Sequence, residues 1–121
     1  MEIITQETIY KVQDIFKHFQ HAYVYGKGPT FNVMDKRPMT MTCCINQTIN
    51  IVGYADLLVV NDIEIFDTIQ LDKLKNVRSI LMPYHIHKNH GARKEITYKN
   101  VVDKIQHYFN GYLIVYNLET C

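Results

Sequence analysis

The feature that most limits what this chain can fold into is an alternation of two periodicities. Short apolar runs rich in β-branched residues occur at "AYVY" (22–25), "MTMTCCIN" (39–46), "ADLLVVND" (55–62), "VRSILMP" (77–83) and "YLIVYNL" (112–118). Between them the apolar residues fall at helical spacing. Ile9, Val12, Phe16 and Phe19 lie three and four apart, which predicts a helix from about Gln6 to His21, with Thr5 or Thr8 as its cap. A second helix is expected from about Glu64 to Leu74. A third covers "ITYKNVVDKIQHYF", with Val101, Val102, Ile105 and Phe109 on one side and Gly111 as its stop. Strands with almost no polar interruption, joined by helical crossovers, belong to a parallel sheet covered on both faces. The expected fold is therefore α/β and Rossmann-like, with about five mostly parallel strands flanked by helices, in a single domain over residues 1–121.

Composition narrows the function classes. The 121 residues are 47% hydrophobic and 21% charged, enough for one real core and ordinary for a soluble protein. A formal net charge of +1 leaves no electrostatic footprint for nucleic acid or an anionic membrane. No apolar run approaches the ~20 residues that span a bilayer, and "MEIITQETIY" lacks the plan of a signal peptide. A cytoplasmic protein is expected. Cys43, Cys44 and Cys121 have no metal-type spacing and are expected to act as small apolar residues in a reducing compartment. Without a secretion signal, the Asn46-Gln47-Thr48 sequon is read as chance. The abundance of Ile, Asn, Lys and Tyr suggests an AT-rich genome.

In parallel α/β sheets, ligands bind outside the carboxyl ends of the strands. That rule turns scattered polar residues into a constellation. The first run ends in Gly26-Lys27-Gly28-Pro29-Thr30, the second in Asn46-Gln47, the third in Asn61-Asp62. Glycines at 26 and 28 would permit positive φ and close approach of backbone N–H groups to an anion. A helix starting near Thr30 would add its dipole and a hydroxyl, and Lys27 a mobile charge. Asn46 suits a base edge or a sugar hydroxyl. Asp62 could accept from ribose hydroxyls or hold a divalent metal accompanying the nucleotide. An ordinary turn after a strand also carries Gly-x-Gly. Neither a Walker loop nor the third glycine of G-x-G-x-x-G is present, since position 31 is Phe.

Taken together, "VYGKGPTFN", "CCINQTI" and "ADLLVVNDIEIF" resemble the nucleotide-binding half of bacterial CMP-sialic-acid-dependent sialyltransferases. Related Rossmann-like domains, hydroxymethylpterin pyrophosphokinase-like and phage glycosyltransferase-like proteins, share the pattern. Gly26, Gly28, Pro29 and Thr30 match its G-x-G-P-S element with Thr for Ser, Asn46 and Gln47 match its second element, and Asp62 approximates the third. The resemblance spans about residues 22 to 83. It implies a nucleotide or nucleotide-sugar ligand contacted by the glycine loop and the asparagine. A complete transferase of this type continues further, with a lid and a catalytic histidine. The chain is therefore expected to be a minimal or truncated transferase, or a viral protein that captures a nucleotide without turning it over. A domain this small can also complete its site across a homo-oligomer interface.

One more cluster, "PYHIHKNHGARKE", follows the fourth run and carries His85, His87 and His90. It is one residue from the H-x-H-x-D-H signature of metal-dependent hydrolases, but Asn89 stands where the aspartate would be. A polar loop with no ligand is the plain alternative. A third reading has His85 and His87, the candidate catalytic residues, facing an anionic ligand together with Arg93 and, more weakly, Lys94.

Overall fold

Residues that alternate faces along a buried strand must find cover on both, and the last four apolar runs largely do, whereas the first run, at a sheet edge, leaves Tyr23 and Val24 exposed. The computed structural model of the protein describes residues 1–26, 39–84 and 97–116. It contains six strands: β1 (Glu2–Ile4), β2 (His21–Tyr25), β3 (Thr40–Ile45), β4 (Leu57–Val59), β5 (Ser79–Pro83) and β6 (Tyr112–Tyr116). They form one sheet in the order β1-β6-β5-β4-β3-β2, and every neighbouring pair is parallel. The α/β, Rossmann-like expectation holds, with one strand more than expected. β1 escaped notice because "EII" is too short to show a period. No helix among the described residues is long and apolar enough to cross a membrane.

Paired residues in a parallel sheet point to the same face, so the register assigns the core. Cys44, Leu58, Ile80 and Leu113 are aligned across β3, β4, β5 and β6. They share one cluster with Ile49, Ile63, Phe66, Leu74, Val101, Ile105 and Phe109 from the connecting segments. Ile4 and Ile114 are aligned on the opposite face, where they pack with Ile15, Val12 and Phe16. The last three belong to α1 (Lys11–Phe16).

This split follows from handedness. From β2 to β6 each strand is laid down beside its predecessor, always in one direction across the sheet. Right-handed crossovers then all fall on one face. The β1-to-β2 connection runs the other way, over five strand spacings or about 24 Å, and must lie on the other face. α1 lies there.

The helical segments are shorter than their periodicity suggested. The expected Gln6–His21 helix is a 3-10 turn at Gln6–Thr8 followed by α1, and β2 already begins at His21. Between β3 and β4 lie a 3-10 turn (Asn46–Thr48) and α2 (Ile49–Val52), closed by Gly53 at φ +87°. The expected Glu64–Leu74 helix is two 3-10 segments, Ile63–Asp67 and Leu71–Asn76. Of its buried residues, Ile63, Phe66 and Ile69 are three apart, the repeat of a 3-10 helix, with Ile69 between the two segments and Leu74 following in the second. Asn50 enforces the break: its Nδ2 donates to Thr68 O at 2.9 Å and its Oδ1 accepts from the Gln70 N–H at 2.7 Å.

The third helix, α3 (Tyr98–Ile105), is capped by the Thr97 hydroxyl, which accepts from the Asn100 N–H at 3.2 Å. α3 ends before Gly111, whose role differs from the expected helix stop. A Cβ there would lie 2.0 Å from the Arg78 carbonyl oxygen, so only glycine lets β6 begin against β5.

Candidate functional site

The carboxyl ends of β2, β3 and β4 are neighbours, as the sequence constellation requires. What lies there is tightly stitched. Asn46 takes a left-handed conformation at φ +54°, which asparagine tolerates better than most residues. Its Oδ1 accepts from the Asn61 backbone N–H at 3.1 Å, tying the end of β3 to the end of β4. Thr48 is buried and ties β3 to β2. Its hydroxyl accepts from the Ile45 N–H at 3.0 Å and shares its proton between Ile45 O at 3.0 Å and Tyr25 O at 3.1 Å. Asn46 and Thr48 thus brace the strand ends.

The other candidate residues fall out differently. Gly26 is exposed and is not in the left-handed region; among the described residues nothing approaches an added Cβ within 4 Å. Asp62 precedes the first 3-10 segment, and its backbone carbonyl accepts from the Ile65 N–H at 3.0 Å. Asn61 is exposed. Among the described residues Gln47 keeps a buried Oε1 with no hydrogen-bond partner, and so does Glu64, which sequence reasoning did not single out. An acceptor left unpaired in this way carries a desolvation cost that a donor from a ligand would relieve. Lys27, Gly28, Pro29 and Thr30 lie outside the described residues, as do His85, His87, His90, Arg93, Lys94 and Cys121. Among the described residues no group of three or more His, Cys, Asp or Glu side chains is placed to hold a metal ion.

Both cysteines in the described residues are free and buried. Burial pushes the Cys44 thiol up to about 11, the Thr48 hydroxyl lowering it by less than burial raises it. Cys43 is raised by burial as well. A thiol held protonated in this way is a poor nucleophile and a poor metal ligand.

Topology points to a second place. A crevice opens where connections leaving nearby carboxyl ends part to opposite faces. The connections from β3 to β4 and from β4 to β5 go to the same face. The parting occurs between β1, whose chain leads to α1, and β5, whose chain leads to α3 on the other side, with β6 between them. A cleft of about 290 Å³ lies there, lined by Thr5, Gln6 and Glu7 after β1, Tyr84 after β5, and Val115 of β6. Sequence reasoning missed it because β1 was missed. Without β1 as a neighbour of β6, nothing marked Thr5, Gln6 and Glu7 as strand-end residues.

The fold, the braced β2–β4 edge and the β1–β6–β5 cleft are the grounds for functional reasoning: no family model, no curated protein and no solved structure matches this chain.

Proposed function

We propose that the chain binds a nucleotide or nucleotide-sugar along the carboxyl ends of β2, β3 and β4. The observation that carries this reading is the 3.1 Å contact between Asn46 Oδ1 and the Asn61 N–H, which holds two of the three polar strand ends side by side. The third, ending at Gly26, belongs to the adjacent strand β2. Gln47 after β3 and Glu64 after β4 each add a buried oxygen with no hydrogen-bond partner among the described residues. The division of labour follows from chemistry. Lys27 and the backbone of Gly28 would meet phosphate, Asp62 a ribose hydroxyl or a divalent metal, and the Gln47 oxygen an N–H of the base. His85 and His87 are the residues proposed for any transfer chemistry, since they follow β5, the next strand along the edge.

Thermal unfolding with CMP, CDP, UDP, GDP and their sugar derivatives tests the reading. At a hundred times Kd a ligand adds about 2.7 kcal/mol, which moves the midpoint by several degrees. Lys27→Ala and Gly28→Val should remove the shift. Asn46→Ala should remove it too, but with a cost to the apo protein, because the brace to Asn61 is lost. No shift with any nucleotide would refute the proposal. If zinc instead binds stoichiometrically and is lost on changing His85 and His87, the hydrolase reading takes its place. Release of free nucleotide from a sugar nucleotide separates a transferase from a protein that only captures its ligand.

A further inference from the structure

We infer that the cleft between β1, β6 and β5 is a second binding site, which takes a small planar heteroaromatic ring carrying N–H donors along one edge. It does not rest on the proposed nucleotide site: β6 lies three strand spacings from β3, about 14 Å. Its position is the one that crossover handedness dictates, and its lining fits one kind of ligand.

The aromatic wall is Tyr84, which is 45% exposed. Its backbone is fixed, because the Tyr84 N–H donates to Tyr116 O at 2.8 Å and so extends the β5–β6 ladder by one residue. Its ring is propped by Tyr98, with centroids 4.7 Å apart and planes at 39°. Tyr98 is in turn packed on the larger core. A ring held from the backbone and by a neighbouring ring loses little freedom when a flat ligand stacks on it. Val115, almost fully buried, adds an apolar surface. The polar lining comes from Thr5, Gln6 and Glu7. Thr5 is held in its turn by its N–H, which donates to the Thr8 hydroxyl at 3.1 Å. Glu7 has no ion-pair partner among the described residues, so its carboxylate is an acceptor that asks for donors. At about 290 Å³ the cleft is at the small end of ligand pockets, which suits one or two fused rings rather than a whole sugar nucleotide.

Chemical-shift titration of the ¹⁵N-labelled chain with 2-aminobenzimidazole and with adenine tests this. The amides of Thr5, Gln6, Glu7, Tyr84 and Val115 should move first and saturate in the sub-millimolar range. 1-Methylbenzimidazole, which lacks the N–H edge, should bind about tenfold more weakly, the worth of one charge-assisted hydrogen bond. Tyr84→Leu, which leaves the backbone ladder bond intact, and Glu7→Gln, an isosteric exposed change, should each weaken 2-aminobenzimidazole about tenfold with an otherwise unchanged spectrum. Lys27→Ala should leave this binding unaltered. Absence of saturation, shifts gathered on Gly26, Asn46 and Asn61 instead, or equal affinity in both cleft variants would overturn the inference.

Discussion

At the scale of single residues, Asn46, which looked functional in the sequence, has structural work to do as well. An asparagine at a strand end suits ligand contact in any sequence-only argument. Here a left-handed φ and the bond to the Asn61 N–H give it a structural reason of its own. Nothing in the sequence distinguishes these roles, because the partner is a backbone group fifteen positions away. Cys44 teaches the complementary lesson, since its apolar role was expected from the absence of metal spacing and its full burial agrees. Its thiol carries a consequence for pH. The value of 9.0 for an exposed thiol rises to about 11 in the fold. Between these values the unfolded chain loses the proton and the folded chain keeps it, so stability falls as pH rises through that window. With Cys121 replaced by Ser, urea midpoints should drop from pH 8.5 to pH 10.5. Cys44→Ala should flatten part of that slope. Thiol-reagent labelling at pH 8 should follow global unfolding.

At the scale of elements, strands were legible and helices less so. The five apolar runs match β2 to β6 within a few residues; for β3 to β6 continuous apolar composition is what burial on both faces demands, while β2, an edge strand, is largely exposed. The segment after β4 failed as an α-helix for a reason visible only afterwards. Its first core residues, Ile63, Phe66 and Ile69, repeat every three, and Asn50 from α2 occupies both backbone groups that flank the turn at Thr68–Gln70. Asn50→Ala should cost about 1–2 kcal/mol in urea unfolding, with the m-value unchanged. Asn50→Asp should recover part of that loss, since the carboxylate still accepts from Gln70 but no longer donates to Thr68. Gly111 likewise looked like a helix stop, and its actual constraint, the Arg78 carbonyl, is a tertiary contact that no local pattern records.

At the scale of the whole molecule, the sequence shows a parallel sheet but not its winding. The carboxyl-end rule directed attention to Gly26, Asn46 and Asp62, and those strand ends do adjoin. The parting of crossovers that opens a crevice lies instead at β1, β6 and β5, and depends on a three-residue strand. That same strand sets the order in which the chain can assemble. β2 to β6 each pair with the strand just before or after them, contacts of short reach that form quickly. Among the described residues β1 pairs only with β6, and the contact closes a loop nearly as long as the chain: the Met1 ammonium donates to Asn110 Oδ1 across 109 positions. The entropy of that closure places β1 after the rest. Ile4→Ala should therefore speed unfolding while leaving the refolding rate nearly unchanged, as stopped-flow chevrons would show. A nascent chain interrupted before Tyr112 would carry β1 as an unpaired edge, with Ile4 exposed and available to chaperones or to another copy of itself.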